Sequence, residues 1–164
     1  MAENYRGEIS IPVRFITEEV SQWIKEEVGE PIFHGREEYD GVVTFTDHFA
    51  PDGLFRDFEE SLVQANIPFD RYSEGFGEYM PERKVFRPGV INTTVIVTQH
   101  GEPYVETNNL RELLSLSPDE AYLQLAKLIA AADPQVVSLE DIAKELSFTP
   151  CGESNSTKTL NFVS

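Results

Sequence analysis

The run VINTTVIVT at residues 90–98 contains a single residue, Asn92, that is not β-branched. β-Branched side chains are stiff at χ1 and fit a pleated surface, so the run predicts a strand. Apolar or threonine side chains fall on both of its faces, the pattern of a strand covered from two sides, and it is read as central in a sheet. His100-Gly101-Glu102 is then a turn into Pro103-Tyr104-Val105-Glu106, which completes a hairpin. Beyond Thr107 the period changes to helical, with Leu110, Leu113 and Leu114 marking a short first element. Ser117-Pro118-Asp119-Glu120 joins a cap, a proline at the first helical position and a returning carboxylate. The helix it opens carries Ala121, Leu125, Leu128, Ile129 and Ala132 on one side and stops at Asp133-Pro134. Ser138-Leu139-Glu140-Asp141 repeats the capping pattern before Ile142, Ala143 and Leu146.

Towards the N-terminus, Ile9, Ile11, Val13 and Phe15 alternate with Ser10, Pro12 and Arg14, the period of a half-buried strand. Pro12 cannot donate to a ladder, which places this strand at an edge or ends it irregularly. Thr17 caps a following helix whose first turn holds Glu18 and Glu19, with Val20, Trp23 and Ile24 on one face and Gly29 as its stop. Residues 30–40 read as polar and irregular, leading into the short β-prone run 42–46. Pro51 stands where a second helix would begin, with Leu54, Phe55, Phe58, Leu62 and Ala65 on its inner face and Arg56, Asp57, Glu59 and Glu60 on its outer face. Residues 69–88 suit strands or a loose hairpin. The order β-α-β-α-β-β-β-α-α-α separates strands from helices, so the expected fold is α+β, a mostly antiparallel sheet with helices on one face and a helical C-terminal third. Residues 1–148 form one domain on this reading, and residues 149–164, rich in Ser, Thr, Asn and Gly, form a flexible tail.

The 164 residues include 13 basic and 29 acidic side chains, a formal net charge of −16. Residues 1–85 hold 19 acidic against 8 basic side chains, so the excess is concentrated in the first half. Such a field repels phosphate backbones and anionic lipid and attracts basic surfaces. No apolar run reaches the roughly 20 residues that span a bilayer, and Met1-Ala2-Glu3-Asn4-Tyr5-Arg6 lacks the basic and apolar regions of a signal peptide, so the expectation is cytoplasmic. Cys151 is the only cysteine, which excludes an internal disulfide.

His34, His48 and His100 lack the spacing of a metal site, and none is assigned. Asp47-His48, with His100 brought near by folding, is the candidate for a small hydrolase or metal-assisted enzyme, although neighbours on a strand point to opposite faces. Cys151 would be a nucleophile only with a histidine beside it. Gly75-Phe76-Gly77 is not a phosphate-binding loop, and no cofactor is implied. Residues 137–146 have the length of a DNA-reading helix, but their charges are Glu140, Asp141, Lys144 and Glu145, so direct nucleic-acid binding is not expected.

One constellation interleaves carboxylates with aromatics. It comprises Glu37, Glu38 and Asp40, then Asp57, Glu59 and Glu60, then Asp70, Tyr72, Glu74, Glu78, Tyr79 and Glu82. Carboxylates at suitable intervals can stand in for phosphates on a basic groove, and aromatics supply contact area at low entropic cost. The same carboxylates also solubilise a protein whose aromatics belong to its core. In size and acidity, though in no motif, the chain is similar to small accessory proteins of phages and plasmids that inhibit host nucleic-acid-binding enzymes by mimicking DNA. The likeness implies a non-enzymatic inhibitor with a basic protein partner. A third expectation is an assembly subunit that buries the apolar surface of its helical C-terminal third.

Overall fold

The computed structural model describes residues 4–27 and 35–144. The expected tail at 149–164, with Cys151, lies outside them, as do His34 and Leu146. Six strands, β1 (Asn4–Pro12), β2 (Gly35–Tyr39), β3 (Val42–Pro51), β4 (Phe69–Ser73), β5 (Glu82–Arg87) and β6 (Ile91–Ile96), form one sheet in the order β2-β3-β1-β4-β5-β6. Every neighbouring pair is antiparallel. Five helices accompany them: α1 (Glu18–Glu27), α2 (Arg56–Gln64), α3 (Thr107–Leu113), α4 (Pro118–Ala132) and α5 (Leu139–Lys144). The α+β architecture with a helical C-terminal part is therefore as the pattern of elements indicates.

The core lies between the sheet and the first two helices. Ile9, Ile11, Val43, Phe45, Phe69 and Phe86 meet Val20 and Ile24 of α1 and Phe58 and Leu62 of α2. Burying each such side chain contributes roughly 1.5–3 kcal/mol over leaving it in water. Val42, adjacent to Val43 and so turned to the other face, packs instead on Leu139 and Ile142, which lays α5 across the opposite side of the sheet. The caps are as read: Thr17 accepts the Val20 N–H, Ser117 and Glu120 make a reciprocal capping box, and Ser138 accepts the Asp141 N–H.

Several local expectations are corrected. β1 is not at an edge but central, paired on both sides; it ends irregularly, as Pro12 also allows, in a turn of 3-10 helix at Val13–Phe15. Residues 35–39 are a strand and not irregular: Asp40 (φ 51°) and Gly41 (φ 79°) make the two-residue turn whose twist suits a hairpin, joining β2 to β3. Pro51 closes β3, and α2 begins only at Arg56. β6, the strand within the run 90–98, is at the edge of the sheet, paired with β5 alone, and only its Val95 is buried. The hairpin expected after it is a single bridge between Val97 and Pro103.

One close approach shapes the end of the sheet that carries the loop between β4 and β5. A β-carbon on Gly7 would lie 2.6 Å from the Gly53 carbonyl oxygen, so glycine lets the loop after β3 cross directly over β1. That crossing sets Tyr5, Asp52 and Leu54 beside the loop between β4 and β5.

Candidate protein-docking surface

The twelve residues of the acidic constellation fall into three fates. Glu59 is corrected outright: it is 5% exposed, on the inner side of α2. Its Oε1 accepts from Arg71 Nε at 3.2 Å and from the Phe55 N–H at 3.3 Å, and its Oε2 accepts from Lys84 Nζ at 2.8 Å. The apolar face of α2 spans Phe55, Phe58, Glu59 and Leu62, and a carboxylate is tolerated there because β4 and β5 deliver two cations to it. Asp70 and Glu82 are also engaged within the fold. Asp70 binds Arg83 at 2.7 Å and Arg87 at 2.8 Å, and Glu82 binds Arg71 at 2.6 Å. The Tyr72 hydroxyl donates to the Gln99 carbonyl oxygen at 3.0 Å, and burial, followed by the charges of Glu74 and Glu8, raises its pKa.

The second group, Glu37, Glu38 and Asp40, is exposed on edge strand β2 and its turn. Asp40 pairs with Lys144 of α5 at 2.9 Å, which raises the lysine pKa through that hydrogen bond and charge. The third group, Asp57, Glu60, Glu74, Glu78 and Tyr79, is exposed on α2 and on the loop 74–81. The β2–β3 turn lies at the Pro12 end of β1, whereas this loop lies at the Gly7 end. Five residues of strand separate the two ends, about 17 Å. The constellation is thus not one surface: Glu37, Glu38 and Asp40 lie apart from Glu74, Glu78 and Tyr79, and Asp57 and Glu60 lie on α2, over the face of the sheet.

The loop 74–81 is a built feature. A tight turn bonds the Tyr79 N–H to the Phe76 carbonyl oxygen at 3.0 Å, with Gly75 and Gly77 at positive φ. It holds Phe76, Tyr79 and Met80 outward at 63%, 65% and 47% exposure, beside Glu74 and Glu78. Met80 continues into a groove of about 460 Å³ whose other walls are Ile96, Tyr104, Val105 and Leu128. On one side the groove shares Met80 and Ile96 with a depression holding Tyr5, Tyr79, Asp52, Glu78 and Glu82. On the other it shares Asn109 and Leu128 with one between α3 and α4 that holds Leu113, Leu116 and Glu112. Tyr5 has its pKa raised by burial, with Asp52, Glu82 and Tyr79 adding to it against a Ser73 hydrogen bond that lowers it.

These groove residues escaped the sequence reading, although α4 carried a signal. In residues 121–132 only Gln124 and Lys127 are polar, too few for a helix with one wet face. Neither α3 nor α4 contains a buried residue, and Tyr122, Leu123 and Ile129 are 77%, 56% and 55% exposed.

Neither His48 nor His100 lines this groove. Asp47 is buried at 9% exposure and its Oδ1 accepts the Phe49 N–H at 2.8 Å, whereas the neighbouring His48 is exposed. His100 is exposed in the turn after β6. Among the described residues no group of three or more His, Cys, Asp or Glu side chains could hold a metal ion, and no helix is long and apolar enough to cross a membrane. Compared with known protein-family models, curated proteins and solved structures, the chain matches none.

Proposed function

We propose that the chain is a non-enzymatic protein-binding module that receives a basic partner on its acidic surface, and that its role is to inhibit a nucleic-acid-binding protein. The observation that carries this reading is the loop 74–81, which exposes two aromatic rings and Met80 among carboxylates. Large apolar side chains held in water by a tight turn supply binding energy, and the surrounding carboxylates select a cationic surface and speed encounter. The net charge of −16 acts in the same direction and disfavours nucleic acid as a direct ligand.

The test is competition. The partner recovered from the source cell at low salt is incubated with labelled duplex DNA and increasing amounts of this chain. Displacement of the DNA, lost at high salt and weakened about tenfold or more by the triple reversal Glu60→Lys, Glu74→Lys, Glu78→Lys, is the expected result. Salt-insensitive association, or full activity of the reversed variant, contradicts the reading.

The exposed side chains of α4 favour a second reading, an assembly subunit. Tyr122, Leu125 and Ile129 follow at helical spacing and are all exposed, so they form a stripe that a second copy could cover. Sedimentation equilibrium distinguishes the readings: an 18.6 kDa monomer at all concentrations removes this one, and a dimer dispersed by Tyr122→Ser and Ile129→Ser establishes it.

A further inference from the structure

We propose that the groove bounded by Met80, Ile96, Tyr104 and Leu128 is the docking site for a basic amphipathic segment of a partner protein, with its apolar side chains in the groove and its Lys or Arg side chains on the rim. The proposal rests on the protein-binding reading above and gives it a place and a ligand chemistry. Continuity comes first. Three adjoining depressions share Met80, Ile96, Asn109 and Leu128, so they form one seam from the loop 74–81 across the end of β6 and between α3 and α4.

The seam's charge selects the occupant. Its lining includes Asp52, Glu78, Glu82, Glu106 and Glu112 against one basic side chain, Arg56; Asp52 holds Arg56 at 3.0 Å and Glu82 is paired with Arg71, which leaves Glu78, Glu106 and Glu112 as its uncompensated charges. The neighbouring depression along α2 differs, because Arg56, Arg71 and Lys84 balance Glu59 and Glu60 there. Glu78, Glu106 and Glu112 are exposed and enter no ion pair among the described residues. A second copy of this chain would bring carboxylates against carboxylates on a body already at −16, so the seam suits a cationic partner and not itself. Its scale also fits: α4, which forms one wall, has 15 residues and is about 22 Å long, the length of a four-turn helix laid beside it.

The experiment uses the full chain and a fluorescein-labelled synthetic helix of leucines and lysines, about four turns long, followed by anisotropy at low salt. The expected result is saturable binding that weakens about tenfold or more when serine replaces leucine in the peptide, or when the protein carries Met80→Ala, Ile96→Thr and Tyr104→Ala. Those three side chains are 47%, 41% and 38% exposed, and thermal melts check that the variant stays folded. The double variant Glu78→Gln, Glu106→Gln is expected to weaken binding several-fold, and Glu37→Gln, Glu38→Gln, which removes the same charge from distant β2, to leave it unchanged. If both neutralised pairs weaken binding equally and the apolar variant binds like wild type, the groove assignment is overturned while the acidic-module reading stands. No binding of the lysine peptide at low salt overturns both.

Discussion

Replacing Glu59 with alanine lowers the free energy of unfolding by about 3–5 kcal/mol, whereas Glu60→Ala, one residue away, changes it by less than about 0.5 kcal/mol. The contrast follows from what each carboxylate faces. Glu60 is exposed on α2. Glu59 is enclosed between α2 and the sheet, and its two oxygens hold Arg71, Lys84 and the first backbone N–H of the helix turn at Phe55. Arg71 is 3% exposed, so without Glu59 it keeps only Glu82 in a region that water barely enters. The main cost is therefore a cation left under-compensated in low dielectric, more than the loss of a favourable pair. Lys84, 22% exposed and 5.6 Å from the Phe69 ring, can turn to solvent and softens the loss only on its own side. Urea titration followed by far-ultraviolet circular dichroism measures both variants. Equal effects at the two positions would place Glu59 outside the stabilising network.

The same residue shows where sequence reasoning stopped. Helical periodicity identified α2 and its apolar residues, because Phe58 and Leu62 recur at the period of one face. It could not show that Glu59 lies within that face, since the two cations that make a buried carboxylate tolerable come from residues 71 and 84, far along the chain. The strands divided in a similar way. The alternation at Ile9 and Ile11 was legible, but whether a strand is central or at an edge depends on long-range pairing: of the two outcomes Pro12 allowed for β1, the irregular end is the one found, on a central strand, whereas β6, expected to be central, is at the edge. β2 was missed because an exposed edge strand of Arg36, Glu37 and Glu38 has no apolar alternation, although Asp40-Gly41 is a strong local turn signal. Charge counting in one dimension likewise overstated the acidic surface. Asp70, Glu59 and Glu82 are spent on Arg71, Arg83, Lys84 and Arg87, and the exposed remainder is divided among β2 and its turn, α2 and the loop 74–81. The apolar surplus of α4 was visible in the sequence, but only its exposure distinguishes a docking helix from a buried one.

Arg87→Met is expected to cost about 3–5 kcal/mol, while Arg83→Met, which removes the other cation bound to Asp70, costs less than about 1 kcal/mol. Arg83 is 41% exposed and its pair is screened by water; Arg87 is 3% exposed. The Arg87 guanidinium donates to Asp70 Oδ1 at 2.8 Å, to the Phe69 and Phe86 carbonyl oxygens at 3.1 and 2.9 Å, and through Nε to the Val137 carbonyl oxygen at 2.8 Å. The last bond joins the sheet to the segment between α4 and α5, and nothing in a methionine side chain can replace it. Beyond the loss of global stability, amide exchange should then accelerate more in α5, at Ile142, than in α1, at Ile24, because the released segment leads directly into α5. The effect also reaches the groove. Leu128 of α4 forms its wall, and Arg87 fixes the chain only five residues beyond that helix's end. Below the unfolding transition, the leucine–lysine peptide should therefore bind Arg87→Met more weakly than Arg83→Met, although neither arginine lines the groove and each variant removes one positive charge. Equal peptide affinity in the two variants, with equal exchange in α1 and α5, would mean that α4 holds its place without this clamp.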